Sequence, residues 1–364
     1  MIGAQIQRAR KARAWSLRAL GDAVGVSQTM IKKYEDGVVT PSSTMLLALA
    51  RALEVRVEYF LRPQSRPLEG VAYRKRQALP KKRLEVLTAV ILDQVERRLE
   101  LESFFPDPAT PAFQRPNQLP PRITTMVDVE RAAEVVRASW QLGTDPIPGM
   151  VDLFERHGVR VFVIPTGPGD GFDGSAATVD GMPVVVVGEH WPGERQRFTL
   201  AHELGHQILN GSLDPSLDEE AACNRFASAF LLPRSSLVAI LGAQRHRLED
   251  REVDLVRREF GLSMSAVIRR ARDVGIIPPP YYQTQMRRYG RLGWRVREPG
   301  IALPSERAYR VEHLVFRALA ESHIGESKAA ELLNLDLGAF RSIRALEAAG
   351  APYTPGRVPE WRKN

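Results

Sequence analysis

Residues 198–206 read Phe198-Thr199-Leu200-Ala201-His202-Glu203-Leu204-Gly205-His206, and residues 220–227 read Glu220-Ala221-Ala222-Cys223-Asn224-Arg225-Phe226-Ala227. On a helix, histidines four positions apart lie about 40° apart, one turn above the other, so both imidazoles reach one metal ion. Glu203, beside the first histidine, can hold the metal's water as general base. Ala201, Leu204, Gly205 and Ile208 form the apolar stripe that buries such a helix, next to the metal face. Zinc (Zn2+) in sites of this kind takes a third protein ligand, and the following segment offers Asp214, Asp218, Glu219 and Glu220. Glu219 and Glu220 point about 100° apart, so only one is expected to face inward. The core register of Ala221, Phe226 and Phe230 separates the two only weakly.

Outward from the histidines, residues 159–164, 174–179 and 182–187 read as strands, with Asp180-Gly181 as a hairpin signal. Pro192-Gly193 then releases the histidine helix, and Pro233 stops a second helix over 217–232. Helices are expected near 129–142 and 149–157. The strand 182–187, if it lies at a cleft edge, would hold an extended substrate as an added strand. His190 is read as a loop histidine, Arg195 and Arg197 as helix-surface charge, and Cys223 as a small buried apolar residue.

The first sixty residues are short helical segments punctuated by Gly and Pro: 4–12, 17–24 after Ser16, a helix after Ser27 ending at Asp36-Gly37, and another after Pro41 through Leu53. Each is too short to stand alone, so they must form a bundle. Leu17-x-x-Leu20-Gly21-x-x-Val24-Gly25-Val26-Ser27-Gln28-x-x-Ile31-x-x-Tyr34 spaces two helices around a glycine turn. Ala19, Leu20, Val24, Ile31 and Tyr34 are expected to bury the joint, which is the geometry of a helix-turn-helix. Gln28, Thr29 and Lys33 are the expected base-reading residues, and Arg10, Lys11, Arg13 and Lys32 the phosphate contacts. Residues 1–61 are similar to the Cro/CI-type (XRE) domain, with Glu35-Asp36-Gly37 where that domain has a Glu-Asn-Gly-like end.

Charge agrees with a polyanion partner. The chain of 364 residues has net charge +8; residues 1–61 hold nine Lys/Arg against five Asp/Glu, and residues 62–83 eight against one. Residues 62–80 read as a basic linker, 81–104 as an amphipathic helix, and 106–121, with six prolines, as a connector. A single cysteine excludes an internal disulfide and a cysteine-rich finger. No apolar run approaches a membrane span, and no basic segment followed by an apolar block opens the sequence, so no signal peptide is expected and the cytoplasm is the expected setting. In the tail, 326–333, Asn334 and 335–345 have helix-turn-helix-like spacing without a basic second helix. That tail is read as a dimerisation or partner-binding segment, with a homodimer among the expectations.

The two stretches quoted first resemble the ImmA/IrrE family of zinc metallopeptidases, in which the HExxH helix is followed by Glu-x-x-(Ala/Cys)-Asn-x-Phe-Ala. The resemblance covers roughly residues 120–280. It implies a zincin-like fold, His202, His206 and Glu220 as zinc ligands, Glu203 as base, Glu219 as a solvated flank and Asn224 as the group orienting a histidine. The expected architecture is multidomain: an all-α helix-turn-helix domain over 1–61, a linker and helix over 62–120, an α+β zincin-like metallopeptidase domain over 121–280 and a helical segment over 281–364. The resemblance implies a double-stranded-DNA-binding regulator that cleaves a regulatory protein such as a repressor or antitoxin. The alternative is a transcription factor whose peptidase-like domain is a non-cleaving ligand sensor.

Overall fold

Ser16, Ser27 and Ser42 each turn the chain into a helix, their hydroxyls accepting from the backbone N–H of Ala19, Met30 and Met45. These caps help delimit α1 (Ile2–Ala12), α2 (Leu17–Val24), α3 (Gln28–Glu35) and α4 (Ser43–Ala52), followed by a 3₁₀ turn at Val57–Leu61. Ile6, Leu20, Ile31, Leu49 and Phe60 are fully buried among them. Ala19, expected in the joint, is exposed. Gly25 adopts the left-handed backbone (φ 74°) between α2 and α3. At Gly21 a Cβ would stand 2.5 Å from the Val26 carbonyl, so only glycine fits the turn. The long α5 (Lys81–Glu102) packs on α1, with Arg8 paired to Glu96. The computed structural model describes residues 2–62, 81–106, 111–167, 172–179 and 181–346. Apart from Arg62, the expected linker lies outside these residues, as do Asp180 of the hairpin and residues 107–110 of the proline-rich connector. No helix among the described residues is long and apolar enough to cross a membrane.

A second compact unit takes in the described residues from 111 to 308. The elements here are α6 (Met126–Ser139), α7 (Met150–Arg156), β1 (Arg160–Ile164), β2 (Gly174–Val179), β3 (Met182–Gly188), α8 (Gly193–Leu209), α9 (Glu219–Leu231), α10 (Arg234–Leu241), α11 (Asp250–Phe260), α12 (Met264–Asp273) and α13 (Pro279–Arg291). The sheet order is β1-β3-β2. β3 pairs parallel with β1, Arg160 opposite Val184, and antiparallel with β2, Ala176 opposite Val185. The strand expected at an edge is therefore the middle one, with both edges hydrogen-bonded and closed to an added strand. Its four consecutive valines, Val184, Val185, Val186 and Val187, are all buried.

Leu200, Ala201, Leu204 and Ile208 seat α8 in the core, against the sheet and α9. At Gly205 the two helices approach so closely that a Cβ would lie 3.1 Å from Phe226 Cδ1 and 3.4 Å from Cys223 Cα. Residues 303–306 run along the first turn of α8, and Glu298 before them faces α11 and α12. Gly193 N donates to Leu303 O (3.2 Å) and Leu303 N to Glu194 (3.1 Å). The buried Arg257 lies among Glu194, Asp254 and Glu298. Arg197, expected on the surface, is buried instead, because Glu306 (2.6 Å) and the Ile147 carbonyl (2.5 Å) receive its guanidinium. Residues 281–308, grouped from sequence with the tail, thus pack with this domain.

The tail proper, α14 (Tyr309–Ala320), α15 (Glu326–Leu332) and α16 (Leu337–Arg344), belongs to the unit that also holds residues 2–62 and 81–106. Val315, Ala318, Ala329, Leu333 and Phe340 form its own cluster with Leu101 and Phe105. Arg62 and Glu331, both buried, pair across it, and Lys328 reaches Glu100 at 2.6 Å.

Candidate metal centre and helix-turn-helix face

α8 and α9 cross where Gly205 lets them, and five side chains meet there. His202 and His206 are buried and their Nε2 atoms lie 3.1 Å apart. The Glu220 carboxylate approaches both, 3.4 Å from His202 Nε2 and 3.8 Å from His206 Nε2. The remaining ring nitrogens have acceptors: Asn224 Oδ1 is 3.1 Å from His202 Nδ1 and Glu219 Oε1 is 2.7 Å from His206 Nδ1. With the proton on Nδ1, facing these acceptors, each imidazole would turn a lone pair on Nε2 toward Glu220. Two such lone pairs and a carboxylate converging on one point suit a cation among them. Zinc–ligand bonds of about 2.0–2.1 Å in a tetrahedron put donor atoms roughly 3.3–3.4 Å apart. The observed separations bracket that value, so the donor set fits a zinc ion.

The acidic residues of this segment divide the work. Asp214 accepts from Ser216 N (2.9 Å) and Oγ (2.7 Å) and pairs with Arg122, which together hold its carboxyl down to about 2 and tie it into a turn. Asp218 caps α9, accepting from Ala221 N at 2.7 Å. Glu220 faces the histidines and is 44% exposed, which leaves that side of the cluster open to water. Glu219, expected as a solvated flank, is exposed, and its Oε1 also reaches His206 Nδ1. The imidazole of His206 stands between the two carboxylates, so neighbouring residues about 100° apart reach its opposite nitrogens. The contact of Glu219 with His206 is what sequence reasoning missed; its signal was the presence of two adjacent acids where one ligand was sought. Cys223 is buried as expected, and its Sγ lies 3.1 Å from His206 Nδ1. Glu203 is buried on the same helix, one residue from His202. His190 lies in a loop, its Nδ1 2.6 Å from Thr166 Oγ1.

In the amino-terminal domain, Gln28, Thr29, Lys32 and Lys33 of α3 are exposed. Lys32 pairs with Asp36 at 2.6 Å, so the acidic substitution in the turn engages a cation of the outer face. Two expected phosphate contacts are structural instead. Arg10 is buried and bidentate on Glu35 (2.6 and 2.8 Å), with a third bond to the Trp15 carbonyl. Arg13 donates to the Ala52 carbonyl and pairs with Glu54. Lys11 remains partly exposed, 3.7 Å from Glu85.

Comparison with known proteins agrees with this division. Residues 6–60 match a family described as helix-turn-helix, and residues 154–272 one described as the IrrE N-terminal-like domain, peptidase M78. No curated protein matches the chain. Among solved structures, a Mycobacterium tuberculosis transcriptional regulator is 22% identical over 47% of this chain, with TM-score 0.29. The chain spans about half (50%) of that regulator's length. Bacillus thuringiensis PlcR in complex with the peptide PapR7 and DNA is 12% identical over 95% of this chain and 96% of its own, with TM-score 0.16. At such scores neither likeness bears on the fold. The chain joins an XRE-type helix-turn-helix domain to an IrrE N-terminal-like domain of the M78 type.

Proposed function

We propose that the chain is a DNA-binding transcriptional regulator whose IrrE-like domain is a zinc-dependent peptidase acting on a regulatory protein, of the repressor or antitoxin kind. The supporting observation is the convergence of His202 Nε2, His206 Nε2 and the Glu220 carboxylate within 3.1–3.8 Å of one another. Zinc held by these three would supply Lewis acidity toward a water molecule and a peptide carbonyl. Asn224 and Glu219 fix the ring orientations and direct both lone pairs to one point. Glu203 is not needed as a ligand, so its carboxylate serves to take a proton from water and return it to the departing amine. The half-exposed Glu220 marks the side from which a substrate backbone enters. With β3 closed on both sides, the sheet edges open to an extended substrate among the described residues are β1 and β2. Gln28, Thr29 and Lys33 face outward on α3, where they read base edges in a major groove.

Glu203→Gln tests the peptidase reading. The variant should bind zinc as the parent does, lose cleavage, and retain an uncleaved partner in pull-downs from cells. A proteome and regulon identical to wild type in that variant would refute cleavage and favour the ligand-sensing alternative.

A further inference from the structure

The turn built by Gly21, Gly25, Val26 and Ser27 recurs at the carboxy-terminal helices with one constant offset in sequence. Asn334 takes the left-handed backbone (φ 55°) as Gly25 does (φ 74°). Leu335 N donates to Ala330 O at 2.9 Å, as Val26 N does to Gly21 O at 3.0 Å. Asp336 caps α16 by accepting from Ala339 N (2.8 Å), as Ser27 caps α3 by accepting from Met30 N (3.2 Å). One turn further, Phe340 and Ile31 are each fully buried. Ala330, like Gly21, is a small buried residue at the point where the second helix crosses.

The turn alone does not make a binding face. Gly261, Leu262 and Ser263 repeat it between α11 and α12, with Leu262 N on Arg257 O and Ser263 capping Ala266. There Ile268, in the position of Lys32, is fully buried, and Arg270 is drawn inward by the Leu232 carbonyl and Glu130. α16, expected from sequence to lack a basic character, differs in the decisive respect: its two charged side chains are both arginines. Arg341 holds the Lys32 position with its side chain 62% exposed, and Arg344 is 51% exposed. Leu337–Arg344 contains no acidic residue. Both guanidinium groups lean on Glu326 of α15, an exposed pairing of the weak kind that phosphate can displace. At the positions of Gln28 and Thr29 stand Leu337 and Gly338, which have no side-chain hydrogen-bonding group for a base edge.

We infer that α15 and α16 form a second helix-turn-helix whose outer face, Arg341 and Arg344, meets the phosphate backbone of duplex DNA without reading sequence. This rests on the DNA-binding reading of α3 and adds a second, sequence-independent contact to it. The test is fluorescence anisotropy of the full-length protein on a mixed-sequence duplex, titrated over a range of salt concentrations. Two phosphate contacts at about 0.9 each should make the slope of log K against log salt shallower by about 1.8 in the Arg341→Ala/Arg344→Ala variant. An unchanged slope overturns the inference, and so does a drop of about 0.9 on removing the exposed Arg269 of α12 in Arg269→Ala, an equal effect per charge that would mark a generic charge effect. Weakening by Lys33→Ala with no change in the double variant removes this inference and keeps α3 as the reader. A wild type that binds no duplex removes both.

Discussion

On the proposed zinc site, Glu219→Ala separates a residue that would hold the metal from one that would hold a ligand. Glu219 Oε1 sits 2.7 Å from His206 Nδ1, while the donor atom facing Glu220 is the other nitrogen of the same ring. Removing such a partner lowers metal affinity by roughly 10–100-fold, because it frees the tautomer and the ring orientation. The Glu219 side chain is 63% exposed, so water replaces much of the lost acceptor and the effect falls near the lower bound. A loss of about tenfold, about 1.4 kcal/mol, is expected. Glu220→Ala removes a donor atom itself, and its loss should be far greater, leaving a two-histidine site. Competition with a chromophoric zinc chelator, on variants whose melting is matched by circular dichroism, measures both. Wild-type affinity in Glu219→Ala would refute the assignment of Glu219 as the orienting group. Equal losses in the two variants would refute the division of roles between the pair.

Three further outcomes follow from other contacts. Gly205→Ala should force α8 and α9 apart at the 3.1 Å approach to Phe226; overpacking of about 1–3 kcal/mol, offset by about 1 kcal/mol of helix propensity, leaves a net loss of up to about 2 kcal/mol, read as a lower melting temperature together with weaker zinc binding. Arg10→Ala should destabilise the amino-terminal domain by about 3–5 kcal/mol by stranding buried Glu35, with no change in the salt slope of DNA binding by the molecules that remain folded; a shallower slope would restore Arg10 as a phosphate contact. Burial pushes the Glu331 carboxyl up, but Arg62 and Lys328 outweigh it and hold the group below its usual 4.5. Its stabilisation is therefore complete above pH 4.5 and lost as pH falls through the lowered folded value, so Glu331→Gln should flatten the acid limb of the stability–pH curve for this unit.

What could be read from the sequence was local. Ser16, Ser27 and Ser42 cap helices through bonds three residues long, and the histidine pair declares its face through helical periodicity. What could not be read depended on partners far along the chain. Arg10, Arg13 and Arg197 look like surface cations until Glu35, Glu54 and Glu306 are brought to them by the fold. The place of β3 in the sheet is set by pairing with β1 and β2, and only its unbroken valine run hinted that both faces are covered. Glu219 and Glu220 were hard to rank because helical geometry counts one inward direction, whereas an imidazole offers two nitrogens on opposite sides of its ring.

The packing of residues 298–308 on α8, α11 and α12 sets where the peptidase-like portion can be cut free. Similarity to the IrrE-like domain stops at residue 272. A fragment ending there would discard Glu298 and Glu306, which face the buried guanidinium groups of Arg257 and Arg197. Arg197 would lose its carboxylate partner inside the protein, a cost of about 3–5 kcal/mol for a stranded buried charge, and Arg257 would keep only Glu194 and Asp254. Against a typical domain stability of about 5–15 kcal/mol, such a truncation leaves little margin. The smallest excisable piece therefore ends near Ala308, and a fragment cut at the limit of recognisable similarity should express as an aggregate.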